Sequence, residues 1–186
     1  MLLKVLRAIV CMVIVPLFLI TFLSCKAPFY LKSIKDGQGI ETKDMVPKDN
    51  EISGWLRDGE MIYCEDLVCL ASLIDGAAPY YIESGAAKII FQDFENSSEN
   101  IRASLEIYQT KNRSQAQALY MGASAISPVA IERLGESGRI DQGLIGSYRV
   151  ETYKKNFFIR LVTMDKSEPS KEKIIVFAKK IVSKIH

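Results

Sequence analysis

The chain has 186 residues, with 24 basic and 22 acidic side chains and a hydrophobic share of 48%. Lys4 and Arg7 lie before the first acidic residue, Asp36, so the rest of the chain balances 22 basic against 22 acidic residues. A near-neutral domain lacks the basic field that nucleic-acid binding needs, so no nucleic-acid partner is predicted.

The first 25 residues have the pattern of an export signal. Lys4 and Arg7 precede an uncharged, strongly apolar run from Ala8 to Cys25. A short basic region followed by an apolar region is typical of a secretory signal peptide. As a helix the run would span roughly 27 Å, slightly less than a hydrocarbon core, and Pro16 interrupts it. We therefore predict a signal peptide at residues 1–25.

The end of this run, Phe22-Leu23-Ser24-Cys25, resembles a bacterial lipobox, in which a small residue precedes a cysteine. The resemblance implies lipid transfer to Cys25, cleavage after Ser24 and acylation of the new amino terminus. The lipobox usually has Leu where Phe22 stands and a small residue where Leu23 stands. The expected location is the bacterial cell envelope, as a lipoprotein facing the periplasm or the exterior. The alternatives are an uncleaved membrane anchor and ordinary cleavage near Ala27.

Residues 26–50 are predicted to be a tether, and residues 51–186 a single domain. Pro28, Gly37, Gly39 and Pro47 are scattered among charged residues with no sustained periodicity. Such a composition is typical of a linker that holds a domain away from a bilayer.

Hydrophobic periodicity and turn residues predict the elements of the domain. Helical spacing over residues 65–84 is broken at Asp75-Gly76 and Pro79, which favours two short helices or one kinked helix. The remaining predictions are a hairpin of strands 87–95 and 101–110, a helix capped by Ser114, a hairpin of 144–153 with 157–164, and a last helix over about 170–184.

The order strand–strand–helix therefore occurs twice. Two such units predict an α+β domain, with an antiparallel sheet and helices packed on it.

Most of the mature chain resembles an uncharacterised family of exported bacterial proteins. The central match is Ile74-Asp75-Gly76-Ala77-Ala78-Pro79-Tyr80-Tyr81, which is similar to the family's Ile-Asn-Gly-Gly-Ala-Glu-x-Tyr signature. Further similar positions are Val46-Pro47, Gly54-Trp55, Gly85, Ser114 to Tyr120, and Asn156 to Arg160. The resemblance implies export and a shared α+β fold, but it implies no activity.

Several kinds of chemistry have no candidate residues in the sequence. The one histidine is His186, the last residue, so Ser–His and Cys–His catalysis lack a base. Cys64 and Cys69 alone cannot complete a zinc site, and no phosphate-binding glycine motif occurs. We therefore predict no catalytic, cofactor-binding or metal-binding residues and no cofactor.

Cys64 and Cys69 are predicted to form a disulfide. Export would place them in an oxidising compartment, and they are the two thiols left if Cys11 is removed and Cys25 is acylated. A bridge requires the chain to turn between them, since residues five apart on one helix point in different directions. Two small buried thiols are the alternative.

Asp75, Tyr80 and Tyr81 are predicted to form a binding surface. The break in the helical pattern exposes backbone groups, and at least one tyrosine should face away from the core. The alternative is architectural, with small residues where a helix packs closely and tyrosines that anchor it to the sheet.

These observations favour a lipid-anchored envelope protein that binds a small ligand or an envelope protein, or has a structural role. The alternative is a cell-envelope hydrolase that uses carboxylates or an unorthodox serine. A deep pocket with two acids about 5–10 Å apart would favour the enzyme, and a shallow groove would favour binding.

Overall fold

The computed structural model describes residues 39–74 and 76–186, so the signal segment, Cys25 and Asp75 lie outside the described residues. The described chain is a mixed α/β domain with a seven-stranded antiparallel sheet and four α-helices. Its elements in chain order are a 3-10 helix (Thr42–Met45), β1 (Leu56–Cys64), α1 (Leu67–Ala71), α2 (Ala78–Glu83), β2 (Ala86–Asn96), β3 (Ile101–Thr110), α3 (Arg113–Gly122), β4 (Pro128–Ala130), β5 (Ser137–Asp141), β6 (Arg149–Lys154), β7 (Phe157–Thr163) and α4 (Glu168–Ser183).

Three of the helices begin at a polar residue that caps the first turn. Asp66 caps α1, Asn112 caps α3 and Ser167 caps α4, each accepting a hydrogen bond from a backbone N–H three residues later. Such a side chain satisfies one of the donors that a helix start leaves free. The helix predicted to be capped by Ser114 therefore begins earlier, because Asn112 Oδ1 accepts from the Gln115 N–H at 3.0 Å.

The sheet order is β1-β2-β3-β7-β6-β5-β4, and every neighbouring pair is antiparallel. Both predicted hairpins are present, as β2 with β3 and β6 with β7. The centre of the sheet joins β3 to β7, which lie far apart in sequence. The α+β class with an antiparallel sheet is therefore confirmed.

The arrangement as two strand–strand–helix units is not confirmed. Strands β1, β4 and β5 also belong to the sheet, and they come from outside both units. The helices that follow the two hairpins, α3 and α4, contribute to different hydrophobic clusters. Because adjacent strand residues point to opposite faces, Ile107 and Tyr108 show that these clusters lie on opposite faces of the sheet.

One face of the sheet, here called the closed face, is covered by α4 and the segment before β1. The α4 side chains Ile174, Phe177 and Ile181 are fully buried there. Trp55 and Phe94 contact the Phe177 ring edge-on, with centroids 5.1 and 4.9 Å away. This face forms the larger apolar cluster of the domain.

The other face, here called the open face, carries the three shorter helices. Leu70 of α1, Tyr81 of α2 and Leu119 of α3 pack there against Tyr108 and Phe158 of the central strands. These helices lie over one end of the face, and the charged and exposed residues described below occupy the rest.

Part of the segment assigned to the tether belongs to the folded domain. Met45 is fully buried and Val46 is 5% exposed, and both join the closed-face cluster. Thr42 is also buried and donates a hydrogen bond to the side chain of Gln109 in β3. The folded part therefore includes residues 42–50 and does not begin at residue 51. Composition suggested a linker there because the two buried apolar residues stand among charged ones.

Candidate functional site

A row of charged side chains crosses the open face, one strand after another. The strand registers place Glu106 opposite Arg160, Arg160 opposite Glu151, and Glu151 opposite Arg139. Asp141 and Arg149 are opposite each other in the next row. We call this set the charged ladder: Glu106, Arg139, Asp141, Arg149, Glu151 and Arg160.

Glu151 is the centre of the ladder and receives three arginines. Arg139 Nη2 lies 2.7 Å from Glu151 Oε2, and Arg160 Nε lies 3.1 Å from Oε1. Arg149 Nε is 3.4 Å from the same Oε1, without hydrogen-bond geometry. Arg160 also reaches Glu106, with Nη1 3.1 Å from Oε2. The register therefore alternates charge, so that each side chain meets an opposite charge on the next strand.

The ladder is largely removed from solvent. The side chains of Glu151 and Asp141 are fully buried, and those of the three arginines are only 14–17% exposed. Removing ions from water costs several kcal/mol each, and their attraction inside the protein roughly offsets that cost. The ladder is thus not an efficient source of stability compared with apolar packing, although removing one partner would be costly.

Two ladder arginines also bind the end of α3. Arg139 Nη2 donates to the carbonyls of Tyr120 and Ala123, at 3.0 and 2.6 Å, and its guanidinium lies 4.5 Å from the centre of the Tyr120 ring. Arg149 donates to the carbonyl of Ser124. Cations suit the carbonyls at a helix C-terminus, which carry partial negative charge. The ladder therefore fixes where α3 ends over the sheet.

Asp141 holds the loops beside the ladder. Its carboxylate accepts backbone N–H hydrogen bonds from Ile126, Ser127 and Gly143 at 2.9–3.0 Å, and it pairs with Arg149 at 3.0 Å. Burial acts to raise the pKa of Asp141, but these donors and the arginine outweigh burial and hold the pKa below its ordinary value. Asp141 is therefore ionised at neutral pH.

The predicted surface residue Tyr81 contacts the ladder instead of solvent. It is 8% exposed, and its ring stacks on Tyr108 with centroids 4.5 Å apart. Tyr108 in turn donates its hydroxyl to Glu106 at 2.6 Å, and burial followed by the Glu106 charge raises the pKa of Tyr108. The Arg160 guanidinium lies 5.8 Å from the Tyr81 ring centre. Tyr81 therefore anchors α2 to the sheet, which is the architectural alternative given in the sequence analysis.

Tyr80 faces outward and is 43% exposed. Its hydroxyl lies directly over Gly122 at the end of α3, where a Cβ atom would collide with it. Met121, the neighbour of Gly122, is 69% exposed. Tyr80 of α2 and Met121 at the end of α3 therefore form a partly apolar surface beside the ladder, here called the rim. The third predicted surface residue, Asp75, lies outside the described residues.

Beyond the ladder the open face has no helix over it among the described residues. We call this region the bare area: Ile62, Asp93, Arg102, Ser104 and Val162. Asp93 and Arg102 are exposed, Ile62 is 41% exposed, and Ser104 and Val162 are half-buried. The ladder consequently lies between the helix-covered core and an open sheet surface.

Cys64 and Cys69 are joined by a disulfide, with Cα atoms 5.5 Å apart. Cys64 ends β1, and Cys69 lies in α1, so the chain turns between them at Asp66. This is the turn that the spacing required for a bridge. The disulfide ties α1 to the edge strand of the sheet.

One cleft among the described residues lies at the β1 edge, between residues 43–51 and the end of α4. It is open to solvent and has a volume of about 680 Å³. Among the described residues, histidine, cysteine and acidic side chains do not come together in a group of three or more that could hold a metal ion. The described helices are all too short or too polar to cross a membrane.

The sequence analysis missed the ladder, because the ladder depends on the exact strand register. The predicted three-residue turn at 154–156 would place Glu151 opposite Ile159, whereas the structure pairs Lys154 with Phe157 and so places Glu151 opposite Arg160. The pairing of Glu106 with Arg160 depends on β3 meeting β7, which no local pattern indicates.

Comparisons with known proteins identify no family for this chain and one distant structural likeness. No family model and no curated protein matches the chain. The chain is similar to one solved structure, the extracellular domain of PknH from Mycobacterium tuberculosis, with a TM-score of 0.43 and 13% sequence identity. The match covers 78% of this chain and 91% of that one. At this distance the likeness supports no assignment of function.

Proposed function

We propose that the chain is an exported, lipid-anchored module that binds another envelope protein on its open face. The order of basic residues, apolar run and Ser24-Cys25 supports export and lipidation of Cys25. Several acyl chains would hold the protein stably at the membrane, where one chain would not.

The observation that carries the binding proposal is the bare area beside a prearranged, largely buried set of charges. A flat surface of this kind suits a protein partner better than a small ligand, which binds in concave sites. Tyr80 and Met121 at the rim supply exposed apolar area of the type enriched in interfaces. Arg160 uses two of its five N–H groups on Glu106 and Glu151, which leaves donors for a partner.

The fitting partner presents hydrogen-bond acceptors, carbonyl or carboxylate, to the ladder and apolar side chains to the rim. The ladder itself carries three positive and three negative charges, so it offers orientation more than net attraction.

Lipidation is tested by intact mass and membrane fractionation of wild type and of Cys25→Ser. We expect a lipid adduct on wild type and loss of membrane association, or an uncleaved precursor, in the variant. An unmodified Cys25 thiol in mature wild-type protein would contradict the anchor.

Binding is tested by placing a photoreactive residue at Met121, with Val176 as the matched control. Both positions are exposed on helices, at 69% and 58%, but Val176 is on α4 over the closed face. We expect a discrete cross-linked protein adduct in cells from position 121 alone, weakened by Tyr80→Ala. Tyr80→Phe should leave the melting temperature nearly unchanged. Equal cross-linking from both positions, or no effect of Tyr80→Ala, would refute the open-face site.

The alternative, a hydrolase using carboxylates, has no specific observation in its favour. Glu106, Asp141 and Glu151 are the acids of the charged ladder, and each is bonded to an arginine. They act as acceptors that position arginines.

A further inference from the structure

The cleft at the β1 edge is rich in cations. Lys43, Lys48, Arg57 and Lys184 line it, together with the apolar side chains of Val46 and Met61. It is open and has a volume of about 680 Å³.

Two of the three acidic residues that line this cleft are engaged in ion pairs, and the third, Asp44, is exposed with no cation within 4.0 Å among residues 39–74 and 76–186. Glu51 pairs with Lys184 at 2.9 Å and with Lys180 at 3.7 Å. Asp49 pairs with Arg57 at 3.6 Å and accepts a hydrogen bond from the Arg57 backbone N–H at 3.0 Å. These pairs hold residues 49–51 against β1 and α4.

Lys43 and Lys48 remain as the cations without a carboxylate within 4.0 Å among residues 39–74 and 76–186. The Lys43 ammonium lies 4.5 Å from the centre of the Tyr63 ring, which orients it without neutralising its charge. Both lysines can therefore accept an anion.

The cleft also lies where the described chain begins. Eighteen residues, 26 to 43, separate Cys25 from the cleft, and fully extended they span at most about 60 Å. Three cations, Lys26, Lys32 and Lys35, precede the first acidic residue of this segment, Asp36. A lipid on Cys25 would thus keep the cleft within that distance of a bilayer.

We infer that this cleft docks on the phosphate headgroups of anionic phospholipids in the membrane that holds the chain. The inference rests on the proposed lipid anchor at Cys25. Clustered lysines near a membrane are attracted to anionic lipid, and the attraction decays within a Debye length. Docking would fix the orientation of the domain and direct its β1 edge towards the bilayer.

The test uses the lipidated protein, purified from membranes and reconstituted in vesicles of phosphatidylcholine alone or with phosphatidylglycerol. Hydrogen exchange of residues 43–51 reports docking. We expect slower exchange in the anionic vesicles, abolished by high salt. For Lys43→Gln with Lys48→Gln, the docking equilibrium should weaken roughly fivefold per lysine at low salt.

The matched control is Arg133→Gln with Lys166→Gln. It removes two exposed cations that lie by strands β4 to β6, at the other edge of the sheet. This variant should dock like wild type. Melting temperatures of both variants check folding, and the salt titration of wild type tests the idea even if the cleft variant fails to fold.

Each failure has its own signature. Absence of lipid in the intact mass would contradict the anchor, whatever the exchange result. A lipidated protein whose exchange at residues 43–51 is equal in both vesicle types, or whose two variants behave alike, would overturn the docking inference. Protection by inorganic phosphate without anionic vesicles would show a site for free phosphate and also overturn it.

Discussion

The two faces of the sheet are covered in different ways. The closed face is covered by a sixteen-residue helix and the segment before β1, and the large apolar side chains there are buried. The open face is covered by three shorter helices over part of its area, and beside them six charged residues occupy sheet positions. The closed face relies mainly on apolar packing, whereas the open face combines apolar packing with buried charges.

The difference indicates where stability and recognition reside. Burial of apolar surface contributes about 25 cal/mol per Å², whereas buried ion pairs roughly break even against apolar replacements. The closed face should therefore supply most of the stability. The open face keeps charges at a cost, and we connect that cost to the partner surface proposed above.

The sharpest test of the closed face is Phe177→Ala. Phe177 is fully buried and contacts the rings of Trp55 and Phe94. We expect the free energy of unfolding to fall by about 3–5 kcal/mol, from lost burial and the cavity left behind. Urea denaturation measures it. Val176→Ala, the exposed neighbour on the same helix, should change it by less than about 0.5 kcal/mol. Similar losses for both would contradict the assignment.

For the open face the corresponding change is Glu151→Gln. It leaves Arg139, Arg149 and Arg160 without their shared carboxylate, so we expect a loss of about 3 kcal/mol in urea denaturation. The same substitution at Glu60, exposed on the edge strand β1, is the control and should be nearly neutral. A stable Glu151→Gln protein would mean that the ladder is solvated in solution.

Replacing both Cys64 and Cys69 by Ser should cost about 2 kcal/mol, because the bridge closes only a short loop. Reducing the wild-type protein should give the same loss. Thiol counting on denatured, unreduced mature protein should find neither cysteine free. Two free thiols would refute the disulfide.

The smallest effect is expected in how the free energy of unfolding changes at acidic pH. Because the folded pKa of Asp141 is lowered, its contribution is complete above its ordinary value, near pH 4, and is lost as pH falls through the folded pKa. Asp141→Asn should therefore be less stable than wild type at neutral pH, with the difference shrinking below about pH 4. Urea midpoints against pH measure this, with Asp44→Asn as the exposed control. A constant difference down to strong acid would contradict the shift.

The hairpins and the long helix were predictable because their signals are local. Alternation and turn residues located β2 with β3 and β6 with β7, and the apolar stripe of Ile174, Phe177 and Ile181 located α4. The strand β1 was missed because its side chains are mostly exposed and carry Arg57, Asp58 and Glu60 without alternation. It is a strand because β2 pairs with it, with a register shift between Asp58 and Ile62.

The candidate site was predictable only in part. Tyr80 and Tyr81 were selected because a helix break stands beside them, and Tyr80 is indeed exposed. Tyr81 is buried because Tyr108 and Arg160 lie beneath it, and both belong to strands far away in sequence. A helical wheel gives the direction of a side chain but does not identify what covers it.

The sequence by itself determined the fold class, both central hairpins, the last helix and the near neutrality of the domain. Periodicity and turn chemistry are properties of short segments, and charge count is a property of composition. All three can therefore be read without knowledge of the fold. Tertiary structure alone decided the pairing of β3 with β7, and with it the meeting of Glu106 and Arg160. It also decided that the helices after the two hairpins pack on opposite faces. The physical reason is that such contacts join residues about fifty positions apart, and their geometry depends on the register of every strand between them.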